Sequence, residues 1–325
     1  MRVAICTTEP ADSGRDPAGI LRRCGWPEGI EPSPPESADL VIFAESHQDD
    51  ASCGRFLAAV RRHEVFRRRP ERCVVHCGAD HPWPGLPGFY ASIERRWHVP
   101  WWTRSASYLV EPNPFLETLP SEGPWPTQRL ASFVGACGGR PTRQRMLRLE
   151  DPRIQIEDTQ AEFVGAIRRG DEPRVLAFKR HHVASMLESR FVLCPRGFGT
   201  SSIRLFEAMQ VGRVPVILSD DWVEPRGPAW DRFSVRVPEG RVADLAAILE
   251  PLEDRAESMG RLAREAWEAW FAPPVLLDRL AREGLELVQQ ARGRRMAGRS
   301  RAVVSVMRPH HLRAAIRAAK SGVRG

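Results

Sequence analysis

The chain has 325 residues, of which 42% are apolar and 27% are charged, and this composition is typical of a globular protein with room for two domains. No run of about 18 apolar residues occurs, so we expect no transmembrane helix, and we also expect no signal peptide at the N-terminus. The formal net charge is +7, but residues 291–325 hold ten Arg or Lys and no acidic residue, so the rest of the chain carries −3 and is not basic.

The first half of the chain contains short apolar runs that each end in small or polar residues. These runs lie at residues 3–6, 39–43, 73–76 and 131–134, and an Arg-rich segment with helical spacing, residues 55–68, separates the second run from the third. Strands that alternate with helices predict a parallel α/β sheet. Residues 82–128 are instead rich in Pro and Trp, and we expect them to form a long irregular excursion out of the sheet.

The second half repeats the alternation of strands and helices. The pattern predicts strands at residues 191–194, 214–218 and 234–237, and helices at residues 175–188, 202–210, 241–250 and 253–271, with a further amphipathic helix after Pro273-Pro274. The predicted fold class is therefore α/β. We place a domain boundary near residue 160, which gives domains of residues 1–160 and 161–290 and a basic tail of residues 291–325.

The cysteines indicate a reducing compartment. There are seven of them, an odd number scattered along the chain, which favours free buried thiols in the cytoplasm over a disulfide framework. Cys73, His76, Cys77 and His81 lie close together in sequence, but their spacing matches no strong zinc pattern. We therefore expect no metal there.

The stretch from Phe191 to Pro225 concentrates the chemistry. A strand ends at Pro195, and a loop with two glycines leads into a helix, whose N-terminus offers unpaired N–H donors and a partial positive charge to an anion. Several polar residues surround this helix start: Arg196, Gly197, Thr200, Ser201, Ser202, Arg204 and Glu207. Taken singly, each could be a turn, an N-cap or part of a surface ion pair. Their combination at the carboxyl end of a strand indicates an anion site, although the Gly-Lys-Ser/Thr ending of an ATPase loop is missing.

The same stretch closely resembles the exostosin family, which is glycosyltransferase family 47. The shared motifs are Cys194-Pro195-Arg196-Gly197, Ser202-x-Arg204, Phe206-Glu207-Ala208, Gly212-x-x-Pro215-Val216-Ile217 and Ser219-Asp220-Asp221-Trp222. The similarity extends more weakly over roughly residues 75–240. It implies a GT-B-like fold, in which two Rossmann-like domains face a cleft with the acceptor on the N-terminal side and the nucleotide sugar on the C-terminal side.

The resemblance also implies an activity and residue roles. It implies inverting transfer from a nucleotide sugar, with a UDP-linked donor expected first, without an essential metal or bound cofactor. Arg196 would face the diphosphate, with Gly197, Thr200, Ser201, Ser202 and Arg204 around it. Glu207 would hold the ribose, and Asp220 and Asp221 would lie beside the donor sugar. Because the chain shows no membrane anchor or disulfide pattern, it resembles the smaller soluble bacterial members of the family.

The catalytic base is less well defined by the sequence. Inverting transfer needs a group that takes the proton of the acceptor hydroxyl. Asp80, just after the third predicted strand, is our first choice, and His76, His81, Glu45, His47 and Glu9 remain alternatives. The adjacent pair Asp220-Asp221 is not the Asp-x-Asp of metal-dependent glycosyltransferases, and Trp101 and Trp102 could either stack on a sugar or pack in a lid.

The basic tail and the overall function each leave alternatives open. Leu312 and Ile316 lie on one side of a short helical pattern, with Arg313, Arg317 and Lys320 beside them, so the tail is either a peripheral contact with anionic lipid at the inner face of the membrane or a solvated basic segment. We expect a glycosyltransferase acting on a glycan, lipid-linked or small-molecule acceptor. The alternatives are a catalytically silent nucleotide- or glycan-binding protein of the same fold and, driven by the tail, a nucleic-acid-binding protein, for which no module is recognised.

Overall fold

Two parallel β-sheets organise the chain, for which a computed structural model describes residues 1–8, 16–45, 50–118, 128–292, 294 and 300. The strands are β1 (Arg2–Cys6), β2 (Glu31–Pro32), β3 (Leu40–Glu45), β4 (Cys73–Cys77), β5 (Gly88–Tyr90), β6 (Thr103–Ser105), β7 (Arg129–Gly135), β8 (Ile154–Asp158), β9 (Ser189–Pro195), β10 (Val214–Leu218) and β11 (Val235–Arg236). The first sheet has the order β2-β1-β3-β4-β5-β6, the second has the order β11-β10-β9-β7-β8, and all neighbours within them are parallel.

Helices cover these sheets. They are α1 (Pro17–Arg23), α2 (Asp50–Arg62), α3 (Glu64–Arg68), α4 (Phe115–Thr118), α5 (Pro141–Met146), α6 (Gln160–Arg169), α7 (Glu172–Leu187), α8 (Ile203–Gln210), α9 (Trp230–Phe233), α10 (Leu245–Leu249), α11 (Ala256–Trp270) and α12 (Pro273–Ala291). The predicted helix over residues 55–68 is divided, because the His63 side chain accepts a hydrogen bond from the Val65 N–H and caps α3. The α/β class with two Rossmann-like units is confirmed.

Alternating side chains explain why both faces of the first sheet are buried. Val41 and Phe43 on β3 pack with α2 and α3 on one face, whereas Leu40 and Ile42 pack with α1 and α12 on the other. The second sheet is built in the same way, with α5, α10 and α11 on one face and α7, α8 and α11 on the other. In each sheet the strand order reverses between two neighbours, β1 and β3 or β7 and β9, and ligands bind beside such points.

The expectation that residues 82–128 leave the sheet is wrong for part of that segment. It contains strands β5 and β6, of three residues each, which add two strands to the edge of the first sheet. Neither strand has an apolar run long enough to stand out in the sequence. The register also depends on Gly88, because a Cβ there would come within 2.2 Å of the Val75 carbonyl oxygen, so only glycine lets the two backbones approach this closely.

The expected domain boundary near residue 160 does not match the division between the sheets. Strands β7 and β8 precede that residue but pair within the second sheet, and α12 returns from the second sheet to pack on the first. The sequence did not show this, because a strand or an amphipathic helix carries no mark of which sheet it joins.

The basic tail lies almost wholly outside the described residues, as do Glu9 and His47. The amphipathic pattern at residues 312–320 is therefore not described structurally. Within the part of the chain that is described, no helix is both long and apolar enough to cross a membrane.

Candidate functional site

A cleft of about 530 Å³ opens between the carboxyl ends of the two sheets. Its walls come from the end of β7, from the loop that follows β9, from the first turn of α8, from α6 and α7, and from the loops that follow β4 and β6. Among the ten predicted site residues, the structure brings six to this cleft: Asp80, Gly197, Ser201, Ser202, Arg204 and Glu207. The predicted base and most of the predicted donor site therefore share one space, although they lie on different domains.

The helix start is partly closed by the first domain. The Ser201 N–H donates to the Ser92 Oγ at 3.1 Å, and the Thr200 hydroxyl lies 3.4 Å from the Ile93 carbonyl oxygen. Thr200 is only 2% exposed and is not among the residues that line the cleft. Ser202 occupies the N-cap position of α8 without a side-chain capping bond, so its hydroxyl is left for other partners.

Arginine side chains form the electropositive wall of the cleft. The guanidinium groups of Arg204 and Arg143 lie 4.2 and 5.3 Å from the Phe133 ring centre. Arg143 donates to the carbonyl oxygens of Ala136, Pro195 and Arg196. A third guanidinium, that of Arg140, lies 4.1 Å from the centre of the exposed Phe198 ring.

These three arginines have no ion-pair partner among the residues that the structure describes. Burial lowers the pKa of Arg204, and burial together with the charges of Arg204 and Arg140 lowers the pKa of Arg143 to about 9. A desolvated cation that forms no ion pair is costly, so an anionic ligand that pairs with several guanidinium groups would lower this cost.

Glu207 lies one turn into α8 and is paired with a histidine. Its Oε2 accepts from the His182 Nε2 at 2.9 Å, and both side chains are 15% exposed. Burial by itself raises the pKa of Glu207, but the hydrogen bond and charge of His182, with the charges of Arg204 and Lys179, bring that pKa below its usual value. Glu207 is therefore an ionised carboxylate, able to accept hydrogen bonds from hydroxyl groups.

Asp80 faces the cleft from the first domain, and its Oδ1 accepts a hydrogen bond from the Tyr108 hydroxyl at 3.0 Å. The alternatives are placed less well. His76 is 1% exposed and its Nε2 donates to the Ser107 carbonyl oxygen at 3.1 Å, and His81 does not line this cleft. The structure does not describe the side chains of Glu9, Glu45 and His47.

Three predicted donor residues lie beside the cleft rather than in it. The Arg196 Nη1 lies 3.7 Å from the Glu239 Oε1, and that oxygen also accepts from the Asp220 N–H at 3.2 Å. The Asp221 carbonyl oxygen accepts from the Arg95 N–H at 3.0 Å. Their donor contacts stay predictions, because in this arrangement Glu239 already neutralises Arg196.

The structure also bears on two further alternatives from the sequence, the stacking tryptophans and a metal site. Trp102 is 3% exposed and donates to the Pro84 carbonyl oxygen, and neither Trp101 nor Trp102 lines the cleft, so they pack rather than stack on a ligand there. Within the described residues, no group of three or more His, Cys, Asp or Glu side chains is placed to hold a metal ion.

The structure adds Arg140, Arg143, His182 and Tyr108 to the candidate site. Arg140 and Arg143 had a usable signal, because Gly138-Gly139-Arg140-Pro141 repeats the pattern of a strand, a glycine loop and a helix start that identified the stretch after β9. His182 and Tyr108 had none, since they reach the cleft from the middle of a helix and from an irregular loop.

Two parallel sheets that face one cleft define an α/β protein with the GT-B type of architecture. Comparison with known families then places the chain more narrowly, because residues 114–252 match the family model described as "Exostosin GT47 domain". Over these residues the chain is similar to exostosin-type glycosyltransferases. The match contains the glycine loop, α8 and the arginine wall of the cleft.

Curated relatives match over short segments. Human exostosin-2 is 37% identical over 87 residues, which are 26% of this chain and 12% of that protein. A probable glucuronosyltransferase of Oryza sativa subsp. japonica is 44% identical over 73 residues, or 21% of this chain and 17% of the relative. The chain thus aligns with well under a fifth of the length of these proteins.

Solved structures with a similar outline are distant. The crystal structure of TarM has a TM-score of 0.41 and 10% identity, and covers 75% of this chain and 54% of that one. Anabaena Alr3699/HepE in complex with UDP has a TM-score of 0.33 and covers 91% of this chain and 100% of that one. Likenesses at this level carry no argument about the site.

Proposed function

We propose that this chain is an inverting, metal-independent glycosyltransferase, which transfers a sugar from a UDP-linked donor to a hydroxyl group of a glycan, lipid-linked or small-molecule acceptor. The observation that supports this most is the wall of three arginines without carboxylate partners, which stands next to the start of α8 inside an exostosin-type domain. A diphosphate would provide the missing negative charge.

The residues of the cleft suggest how the donor would be held. Arg143 and Arg204 would contact the diphosphate, with Gly197, Ser201 and Ser202 beside it at the start of α8, and Glu207 would accept hydrogen bonds from the ribose. Phe163 and Phe178 form a T-shaped pair at 5.8 Å on the same wall, which offers an apolar surface to the base. Thr200, Arg196, Asp220 and Asp221 remain predicted contacts that would need the neighbouring loops to move.

The proposed chemistry has one displacement step. The Asp80 carboxylate takes the proton of the acceptor hydroxyl while that oxygen attacks the anomeric carbon. The bond between this carbon and the diphosphate oxygen breaks, its electron pair leaves with UDP, and the configuration at the carbon is inverted. The arginines and the N-terminus of α8 stabilise the charge that develops on the leaving diphosphate.

Calorimetric titration with UDP tests the donor site. We expect binding by the wild-type protein and at least a ~10-fold loss of affinity in Arg143→Ala, because one charged hydrogen-bonding partner is worth about 1.5–3 kcal/mol. Arg148→Ala is the matched control, since Arg148 is an exposed arginine just beyond α5, the helix that contains Arg143. Absence of binding at millimolar UDP, or equal losses in both variants, would contradict the proposal.

Donor hydrolysis separates an enzyme from a silent binding protein. Water can replace the acceptor, so we expect slow release of UDP from one member of a panel of UDP-sugars. Binding of UDP without turnover of any donor or acceptor mixture would favour the silent alternative.

The proposal includes a peripheral contact with the membrane, which only the composition of the tail supports. Ten basic residues and no acidic residue at positions 291–325 would attract anionic lipid. Co-sedimentation with phosphatidylglycerol vesicles, compared with phosphatidylcholine vesicles, would reveal this contact, and equal sedimentation with both would argue against it.

A further inference from the structure

A chain of hydrogen bonds crosses the cleft from one domain to the other. It begins at the Ser201 N–H, next to α8, and passes to the Ser92 Oγ at 3.1 Å. The Ser92 Oγ lies 2.6 Å from the Tyr108 hydroxyl, which lies 3.0 Å from the Asp80 Oδ1. The helix start of the second domain is thus connected to the carboxylate of the first.

The direction of this chain follows from the number of protons on each group. A carboxylate accepts only, so the single proton of Tyr108 points to Asp80. Ser92 must then give its own proton to the Tyr108 oxygen, and its lone pairs accept from the Ser201 N–H, which only donates. All three bonds therefore run from the helix start to Asp80, and bonds that share one direction strengthen one another.

The contact that carries this chain is built tightly into the fold. A Cβ at Gly199 would lie 2.4 Å from the Ser92 Oγ and 2.6 Å from the Asp80 carbonyl oxygen, so only glycine allows the loop to approach both. Ser92 is 0% and Ser201 4% exposed. Burial, followed by the negative charge of Asp80, raises the pKa of Tyr108 well above its usual value, so the hydroxyl keeps the proton that it donates.

The chain leaves half of the carboxylate available. Oδ1 of Asp80 is occupied by Tyr108, whereas no hydrogen bond to Oδ2 is found among the described residues. A carboxylate fixed through one oxygen can direct the other at a substrate proton.

We propose that Ser92 and Tyr108 are positioning residues, through which the docking of the α8 start on the first domain sets the orientation of the Asp80 carboxylate. This inference rests on the proposed function, in which Asp80 is the base. It adds that the Ser201–Ser92 bond, which joins the two domains next to Gly199, supports the orientation of the base.

Amide hydrogen exchange tests the chain without any need for activity. In Ser92→Ala the amide of Ser201 loses its acceptor, and we expect its exchange to accelerate about 10-fold or more, since exchange reports the opening of single bonds. Ser132→Ala is the control, because that buried hydroxyl donates to the Ser185 carbonyl oxygen within the second domain. Unchanged exchange at Ser201 in Ser92→Ala would overturn the inference.

Steady-state kinetics with the UDP-sugar that is turned over fastest test the positioning role of Tyr108. Tyr108→Phe keeps the ring and removes the hydroxyl, and we expect kcat to fall about 10- to 100-fold, as for other misplaced catalytic groups, with the KM for the donor and the Kd for UDP unchanged. Tyr90→Phe is a matched control, since the only other tyrosine of the chain donates its buried hydroxyl to the Leu86 carbonyl oxygen.

The outcomes separate this inference from the proposed function. If the wild-type protein binds no UDP, the proposed function fails and the inference fails with it. If the wild type binds and turns over a donor while Tyr108→Phe keeps its kcat, or loses no more than Tyr90→Phe, only the inference is overturned. Should Tyr108→Phe not fold, Ser92→Ala tests the same fall in kcat, with amide exchange at Ser201 as the second readout, and an unchanged kcat in that variant overturns the inference.

Discussion

Under the proposed function, single residues of the cleft divide into those that would bind the donor and one that would act as the base. Arg143 and Arg204 are held by backbone carbonyl oxygens and form no direct ion pair among the described residues, and clustered cations of this kind are candidates for a functional site. Asp80 instead is held by one neutral hydroxyl. Substitution should therefore affect affinity on one side of the cleft and turnover on the other.

Asp80→Asn should separate these effects. The amide keeps the shape of the side chain but cannot take a proton, so we expect turnover to fall by about 10²–10⁴-fold, the usual contribution of a general base, with the affinity for UDP unchanged. Steady-state kinetics and calorimetry on the same preparation check this. Glu111, the other aspartate or glutamate of the first domain that lines the cleft, is the competing candidate, and loss of turnover in Glu111→Gln but not in Asp80→Asn would show that the base is misassigned.

His76 predicts how stability depends on pH. Burial lowers its pKa from 6.5 to about 4, so in the folded protein the ring stays neutral where the unfolded ring already binds a proton. The free energy of unfolding should therefore fall as the pH drops from 6.5 to 4, by up to ~3 kcal/mol from this residue. Urea unfolding at several pH values checks this, and a decline equally steep in His76→Gln would refute the assignment.

At the scale of elements, two glycines with opposite surroundings predict opposite effects. A Cβ at Gly199 would collide with Ser92 and Asp80, so Gly199→Ala should lower the free energy of unfolding by about 1–3 kcal/mol, as overpacking does. A Cβ at Gly54 in α2 meets nothing within 4 Å, so Gly54→Ala should raise it by up to about 1 kcal/mol. Denaturant unfolding of the two variants measures these changes, and equal effects on the free energy of unfolding would contradict the close contact at Gly199.

Elements with long apolar runs were predictable, and short ones were not. Strands β4 and β9 each bury five consecutive residues, and the apolar runs at 73–76 and 191–194 locate them in the sequence. Strands β5 and β6 have three residues each and owe their position to pairing with β4 and with each other. Such non-local pairing leaves no periodicity to detect.

The candidate site was predictable where it follows one strand. Gly197, Ser201, Ser202, Arg204 and Glu207 form a contiguous stretch, and the structure brings them to the cleft together. Arg143 and Tyr108 come from other elements, and they join the site because the carboxyl ends of two sheets meet. Arg196 lies 3.7 Å from Glu239, a residue distant in sequence, and its contact with the donor stays a prediction.

At the scale of the whole molecule, α12 joins the two domains. It follows the second sheet in the chain but buries Leu277 and Leu280 against the first, and Arg104 of β6 lies 3.9 and 3.7 Å from Glu283 and Glu286 on the same helix. The first sheet therefore depends on residues at the far end of the described chain.

Leu277→Ala measures this dependence. Leu277 is 0% exposed, and we expect the free energy of unfolding to fall by about 2–5 kcal/mol, as for other buried leucines. Leu147→Ala, at a site 45% exposed, should change it by no more than about 0.5 kcal/mol. Denaturant unfolding compares the two, and similar small losses would mean that α12 is not an integral part of the first domain.

The return of α12 also sets the order in which the protein can be completed during synthesis. A ribosome releases residues 129–270, which contain every strand of the second sheet, before it releases α12. The later domain can close while the earlier one still lacks the helix that covers one of its faces. Nascent chains of this protein thus expose one apolar face of the first sheet until α12 has left the ribosome, and exposed apolar surface of this kind is what chaperones protect.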